Sequence, residues 1–196
     1  MRQDLSHIFQ WVEQGARVLD LGCGDGEFLS ELQAHNQVRG MGIEIDPSAI
    51  TTCIAKGLNV VEQDVDDGLA NFADDSFDVV VMAHALQAVR YPHLVLDEML
   101  RIGRESIVTF PNFGQWRCRV HLATRGRMPV SKFLPYTWYD TPNIHFCTVR
   151  DFETLCRQRG IRVLGRHMIG GENSSGFMAR RLPNLWATTA IYHITR

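Results

Sequence analysis

Apolar residues change their period along the chain, and the changes mark out elements. Leu5, Ile8, Phe9 and Val12 recur at helical spacing and stop at Gly15, a residue type that ends helices in a left-handed turn. Arg17–Leu21 predicts a buried strand, followed by the glycine-rich turn Gly22-Cys23-Gly24-Asp25-Gly26 and a helix with Phe28, Leu29 and Leu32 on its apolar face. A second strand is predicted over 40–45 and a helix over 47–56, with proline near its start and Gly57 past its end. Val60 and Val61 begin a third strand that stops at Asp64-Val65-Asp66-Asp67, and 77–82 is a fourth. Leu94, Leu96, Met99, Leu100 and Ile102 supply a helical face closed by Gly103, and 106–110 is a fifth strand ending at Pro111.

Alternation of strands and helices with crossover-length connections predicts a mostly parallel sheet covered on both faces. Between 111 and 161 the rhythm breaks. Phe113, Trp116, Phe133, Tyr136, Trp138, Tyr139 and Phe146 crowd this stretch. It reads as an insert at about 112–145 over the carboxyl edge of the sheet, with its aromatics expected mostly in the core. A helix over 150–159, a sixth strand over 161–164, a flexible loop over 170–176 and a last strand over 186–195 complete a seven-stranded α/β chain. One domain spanning 1–196 is expected.

Composition narrows the class. Hydrophobic residues make up 45% and charged residues 21% of the 196 positions, as in ordinary globular proteins. No apolar run approaches the roughly 18 residues of a membrane span, and the N-terminus shows no secretory pattern. Cysteines 23, 53, 118, 147 and 156 are odd in number and lack CxxC or Cys/His ligand spacing. Reduced thiols, a cytoplasmic location and no metal site are therefore expected.

The net charge of −2 conceals an asymmetry: residues 1–111 hold 7 basic and 18 acidic side chains, and residues 112–196 hold 13 and 4. Eighteen of the 20 basic residues are arginine, the side chain suited to bidentate contact with carboxylate or phosphate. Either the halves neutralise each other in the fold, or the second half faces an acidic partner or an anion. An isoelectric point near 6.4 and only two lysines argue against a nucleic-acid partner.

In an open parallel sheet, ligands bind beyond the carboxyl ends of the strands, where the informative residues fall. Gly22, Gly24 and Gly26 leave the first turn bare for close approach. Glu44 ends the second strand, placed to accept both hydroxyls of a ribose, with Ile45 beside it. Asp64 ends the third strand, placed to accept from an adenine amino group, with the Val65 backbone adjacent. A dinucleotide fingerprint requires G-x-G-x-x-G/A, but Glu27 occupies the third position. Asp20, Asp25 and Glu27 would repel a pyrophosphate and favour the ammonium and sulfonium of S-adenosylmethionine, or the ammonium of S-adenosylhomocysteine. The candidate cofactor set is thus Asp20, Gly22, Cys23, Gly24, Gly26, Glu44, Ile45, Asp64, Val65 and His84. Cys23 is read as a packing residue, because no neighbouring cation would activate its thiol.

The stretch Val18-Leu19-Asp20-Leu21-Gly22-Cys23-Gly24-Asp25-Gly26 resembles motif I of class I S-adenosylmethionine-dependent methyltransferases. Phe110-Pro111-Asn112-Phe113-Gly114-Gln115-Trp116-Arg117, Gly126-Arg127-Met128-Pro129-Val130 and Trp138-Tyr139-Asp140-Thr141-Pro142-Asn143-Ile144-His145 extend the resemblance to one branch, the MetW family of methionine biosynthesis. That resemblance implies a Rossmann-like class I methyltransferase fold and a partnership with homoserine O-acyltransferase. It leaves open whether a methyl group is transferred, so methylation of a small molecule stands as the alternative.

No catalytic residue emerges. The segment after the fourth strand, Met82-Ala83-His84-Ala85-Leu86-Gln87, lacks the Asn/Asp-Pro-Pro-aromatic motif of many amino-group methyltransferases. His84 is a candidate base or, preferably, a pocket-lining residue. Tyr139, Asp140, Asn143 and His145 form either a substrate or partner surface or a loop-stabilising cluster around Pro142. Trp116, Arg117, Arg119, Arg125, Arg127, Trp138 and Tyr139 are residue types enriched at binding hot spots, so the insert is expected to carry the partner surface.

Overall fold

The computed structural model describes residues 5–131, 134–170 and 176–196. Seven strands, β1 (Arg17–Leu21), β2 (Arg39–Glu44), β3 (Asn59–Glu62), β4 (Phe77–Ala83), β5 (Gly103–Pro111), β6 (Arg162–Gly170) and β7 (Ala187–Thr195), make one sheet in the order β3-β2-β1-β4-β5-β7-β6. Strands β1–β5 pair in parallel, and β7 runs antiparallel to both β5 and β6. The order reverses between β1 and β4, which puts their carboxyl ends on either side of a crevice.

Seven α-helices accompany the sheet among the described residues: α1 (Glu27–Asn36), α2 (Pro47–Ala55), α3 (Pro92–Ile102), α4 (Trp116–Arg125), α5 (Val149–Arg159), α6 (Gly176–Arg181) and α7 (Pro183–Trp186). Side chains alternate across β4. Val80 and Met82 join α3 (Leu96, Met99) and α5 (Phe152, Cys156) on one face, whereas Val79 and Val81 join α1 (Phe28, Leu32) and Ile8 on the other. Central strands buried on both faces explain why they read as continuous apolar runs. Helix starts are chemically specified. Asp46 caps α2 by accepting from the Ser48 amide at 2.9 Å, and Thr148 and Asp151 form a reciprocal capping box at α5.

Several elements differ from expectation. The first helix is a 3-10 helix, Leu5–Trp11. The sixth strand runs to Gly170 rather than 164, because backbone pairing to β7, not an apolar pattern, defines it. Gly170 thereby leaves the predicted loop, whose positions 171–175 lie outside the described residues. Helices α4, α6 and α7 form where no helical stripe was legible; α4 buries only Cys118. The insert's aromatics are not mostly core: Trp138 and Tyr139 are 74% and 73% exposed, and Tyr136 and Phe146 are exposed too. The helices already cover both sheet faces, so these rings lie on a surface lobe closed by turns, with Asp140 Oδ1 accepting from the Thr137 amide at 2.7 Å. Phe133 lies outside the described residues. Among the described residues no helix is long and apolar enough to cross a membrane.

Candidate functional site

The glycine turn leaves β1 through three left-handed residues, Gly22, Gly24 and Gly26, with φ of 72°, 56° and 74°. Their roles differ. A side chain at Gly24 would meet nothing within 4 Å, so that position borders open space. A side chain at Gly26 would run into Leu58 and Cys53, so glycine there serves packing against α2 and the turn that leads into β3. At Gly22 the nearest neighbour would be Ala85 Cβ at 3.1 Å, which shows how closely the turn approaches the segment after β4.

Glu44 joins this turn to the next. Its Oε2 accepts from the Gly24 amide at 2.7 Å, and its Oε1 accepts from the amides of Ile45 and Asp46 at 2.8 and 3.0 Å. Each hydrogen bond to a charged group contributes about 1.5–3 kcal/mol, so this carboxylate fixes both turns before any ligand arrives. Three amide bonds occupy three of the roughly four lone-pair sites of the carboxylate and leave one, on Oε2, for a ligand. The Ile45 side chain is exposed beside it.

Asp20, on β1, is 2% exposed, and its Oδ1 has no hydrogen-bond partner among the described residues. Burial, reinforced by the negative charge of Glu44, pushes its carboxyl up to about 7. Cys23 is buried 4.0 Å from the Cys53 sulfur, and burial raises both thiols. That inertness agrees with a packing role.

Asp64 follows β3 and caps a short 3-10 turn, Val65–Asp67, accepting from the Asp66 amide at 2.9 Å. Asp66 in turn accepts from the Arg90 amide at 2.8 Å, tying this corner to the segment after β4. Val65 packs partly buried against the core. His84 takes φ of 58°, and its amide donates to Thr109 Oγ1 at 2.9 Å and Thr109 O at 3.2 Å. The expected residues thus border the carboxyl ends of β1 to β4. Within the second cluster, Asp140 is engaged by Thr137, and the Asn143 amide donates to Thr141 Oγ1 at 3.0 Å. The Asp140 side chain therefore stabilises this loop, whereas at Asn143 the bond is made by the backbone amide and the accepting side chain is that of Thr141.

Two organising residues escaped the sequence reading. Gln87 is buried; its backbone oxygen accepts from the Ile144 and His145 amides at 2.9 and 3.0 Å, and its Nε2 donates to His84 O at 2.8 Å. Asn112 anchors the insert, donating to Ala187 O at 2.8 Å while its Oδ1 accepts from the Gly114 amide at 3.1 Å. Both act across long sequence separations, which spacing does not reveal. A cavity of about 710 Å³ lies at the opposite edge among Trp11, Glu13, Asp78, Arg104 and His193. It is remote from the glycine turn. The site is instead an open crevice.

A family model described as methionine biosynthesis protein MetW matches residues 2–194. A protein of Rhodopirellula baltica described as bifunctional methionine biosynthesis protein MetXA/MetW is 32% identical over 197 residues, covering 96% of this chain and 32% of that protein. The chain therefore spans about a third of that relative. The crystal structure of a SAM-dependent methyltransferase from Archaeoglobus fulgidus matches with a TM-score of 0.74 at 17% identity, covering 98% of this chain and 91% of that one. The [4+2]-cyclase SpnF matches at 0.68 and 16%, covering 98% and 80%. At such identities the likeness shows the fold alone, and the cyclase illustrates that this fold hosts more than one chemistry. The chain has the Rossmann-like class I methyltransferase fold and belongs to the MetW family of methionine biosynthesis proteins.

Proposed function

We propose that the chain binds S-adenosylmethionine or S-adenosylhomocysteine in the crevice between β1 and β4 and acts in methionine biosynthesis together with a homoserine O-acyltransferase. The observation that carries the cofactor is the buried, unpartnered Oδ1 of Asp20 behind a turn that is bare at Gly24. A buried carboxylate with no cation beside it among the described residues fits a positively charged ligand and opposes a pyrophosphate. Glu44 would take the ribose hydroxyls, Asp64 and the Val65 backbone the adenine edge, and Ile45 the apolar side of the base. Gly22 and Gly24 admit the ligand, Cys23 and Gly26 hold the turn, and His84 lines the mouth. When bound, S-adenosylmethionine supplies an electrophilic methyl group; the residues described here bind and orient.

Support for the partner comes from the fused relative, which joins a MetXA and a MetW part in one polypeptide. Covalent linkage holds two modules at roughly millimolar effective concentration, an advantage only where they work together. A second reading, methylation of a small molecule, draws on His84, whose positive φ is strain of the kind kept at functional sites. Assaying the purified acyltransferase with and without this chain decides between them. We expect its rate to rise when the chain is added, and an unchanged rate would refute the partnership. Release of S-adenosylhomocysteine on offering small-molecule acceptors would favour the second reading.

A further inference from the structure

Among the described residues the basic excess of the second half is not neutralised by the fold. Asp140 is taken up by Thr137, Asp151 by the α5 capping box, and Glu153 by Arg166 at 2.6 Å and the Tyr192 hydroxyl at 2.9 Å. Carboxylates of the first half reach the second through Asp97, which pairs with Arg159 at 2.9 Å, and Glu105, which meets His193 at 2.6 Å. Among the described residues Arg117, Arg125, Arg127, Arg150, Arg180 and Arg181 form no ion pair.

These arginines come from adjoining elements. Trp116 of α4 packs on Trp186 of α7 with ring centroids 5.9 Å apart, and Arg119 reaches Asn184 O at 3.5 Å. Asn184 Oδ1 accepts from the Arg150 amide in the first turn of α5 at 3.3 Å. Helix α6 leads directly into α7, with the Leu182 amide donating to Met178 O at 2.9 Å. Apolar side chains are exposed among the charges: Val120 on α4 is 50% exposed and Phe177 on α6 is 62% exposed. Helix α4 buries only Cys118, so the core of this chain does not account for its exposed Val120 and Leu122.

We propose that α4, α6 and the first turn of α5 form the face on which the MetXA-type partner docks, through a carboxylate-bearing surface of that partner. This rests on the partnership read above. Guanidinium groups free of internal carboxylates are available for bidentate pairing, and exposed aromatic and aliphatic groups between them are what a desolvated protein contact needs. A nucleic-acid groove would call for a basic chain and lysine, and this chain has a net charge of −2 and two lysines. The face also extends the contact expected for the insert alone, since Phe177 and Arg181 enter it from the far end of the sequence.

The test is biolayer interferometry of the full chain against purified homoserine O-acyltransferase at low and high salt. It compares the parent with R117E/R125E, and with R39E/R162E as a control of equal charge change at exposed positions on the amino edge of the sheet. We expect R117E/R125E to weaken binding about tenfold or more and to flatten its salt dependence, with the control near the parent and all three showing the same melting transition. Equal binding by R117E/R125E and the parent overturns the face and leaves the partnership intact. No binding by the parent overturns the partnership itself. Sedimentation of the chain alone and titration with an oligonucleotide complete the test. Self-association or oligonucleotide binding lost only in R117E/R125E assigns the face to a second copy or to nucleic acid, and overturns the proposal.

Discussion

Replacing Asp20 by asparagine separates the cost of burying this carboxylate from its use. One unit of pKa corresponds to about 1.4 kcal/mol. The Asp20 carboxyl is raised to about 7 by burial and by Glu44, against about 3.9 in an unfolded chain. Between those values the folded chain holds a proton that the unfolded chain has released, so the contribution of Asp20 to stability is full below pH 4 and falls as pH rises to 7. The full span is worth about 4 kcal/mol at most. Asparagine keeps the shape without the charge, and the atom it substitutes has no partner to lose. Urea titrations of parent and Asp20→Asn at pH 4.5, 6 and 8 read the difference directly. The variant is expected to gain about 2–3 kcal/mol on the parent between the lowest and highest pH, while losing affinity for S-adenosylhomocysteine. A parent–variant difference that stays constant across this range would refute the placement of an uncompensated carboxyl in the core.

The two turn glycines are expected to respond oppositely. Gly24→Val meets open space and incurs only the strain of a left-handed φ, about 1–2 kcal/mol, so it should melt near the parent while abolishing ligand binding. Gly26→Val drives into Leu58 and Cys53 and should lower the melting transition markedly; the reverse order in thermal melts would contradict the geometry. At the other edge, Asp78 accepts from Arg17 Nε at 3.2 Å and Nη2 at 2.9 Å, which holds its carboxyl down at about 2. The side chains are only about one-third exposed, and Asp78 also accepts from the Arg17 amide at 2.9 Å, so Asp78→Ala should cost about 1–2 kcal/mol at pH 7. That loss persists above pH 4 and disappears as pH falls through 2, which denaturant midpoints at successive pH values would show.

Sequence pattern reached furthest where local physics decides. β1, its turn and α1 were legible because a strand buried on both faces is an apolar run, and because positive φ demands glycine at 22, 24 and 26. The position of Glu44 followed from strand length, but its engagement by three backbone amides did not, since that depends on how two turns face each other. β6 was cut short because His167 and Arg166 interrupt any apolar period, and pairing with β7 alone defines it. The exposed rings of Trp138 and Tyr139 defeat the general tendency of aromatics to be buried, because they lie on a lobe beyond a sheet whose faces the helices already cover.

Isothermal titration of S-adenosylhomocysteine into the parent chain and into Glu44→Ala tests the central claim most directly. Loss of a charged acceptor that also pins Gly24 and Ile45 should weaken binding about ten- to a hundredfold. Saturable binding at one site in the parent, weakened to that degree in the variant, is the predicted result. Absence of binding in the parent, or equal affinity in the two chains, would contradict it.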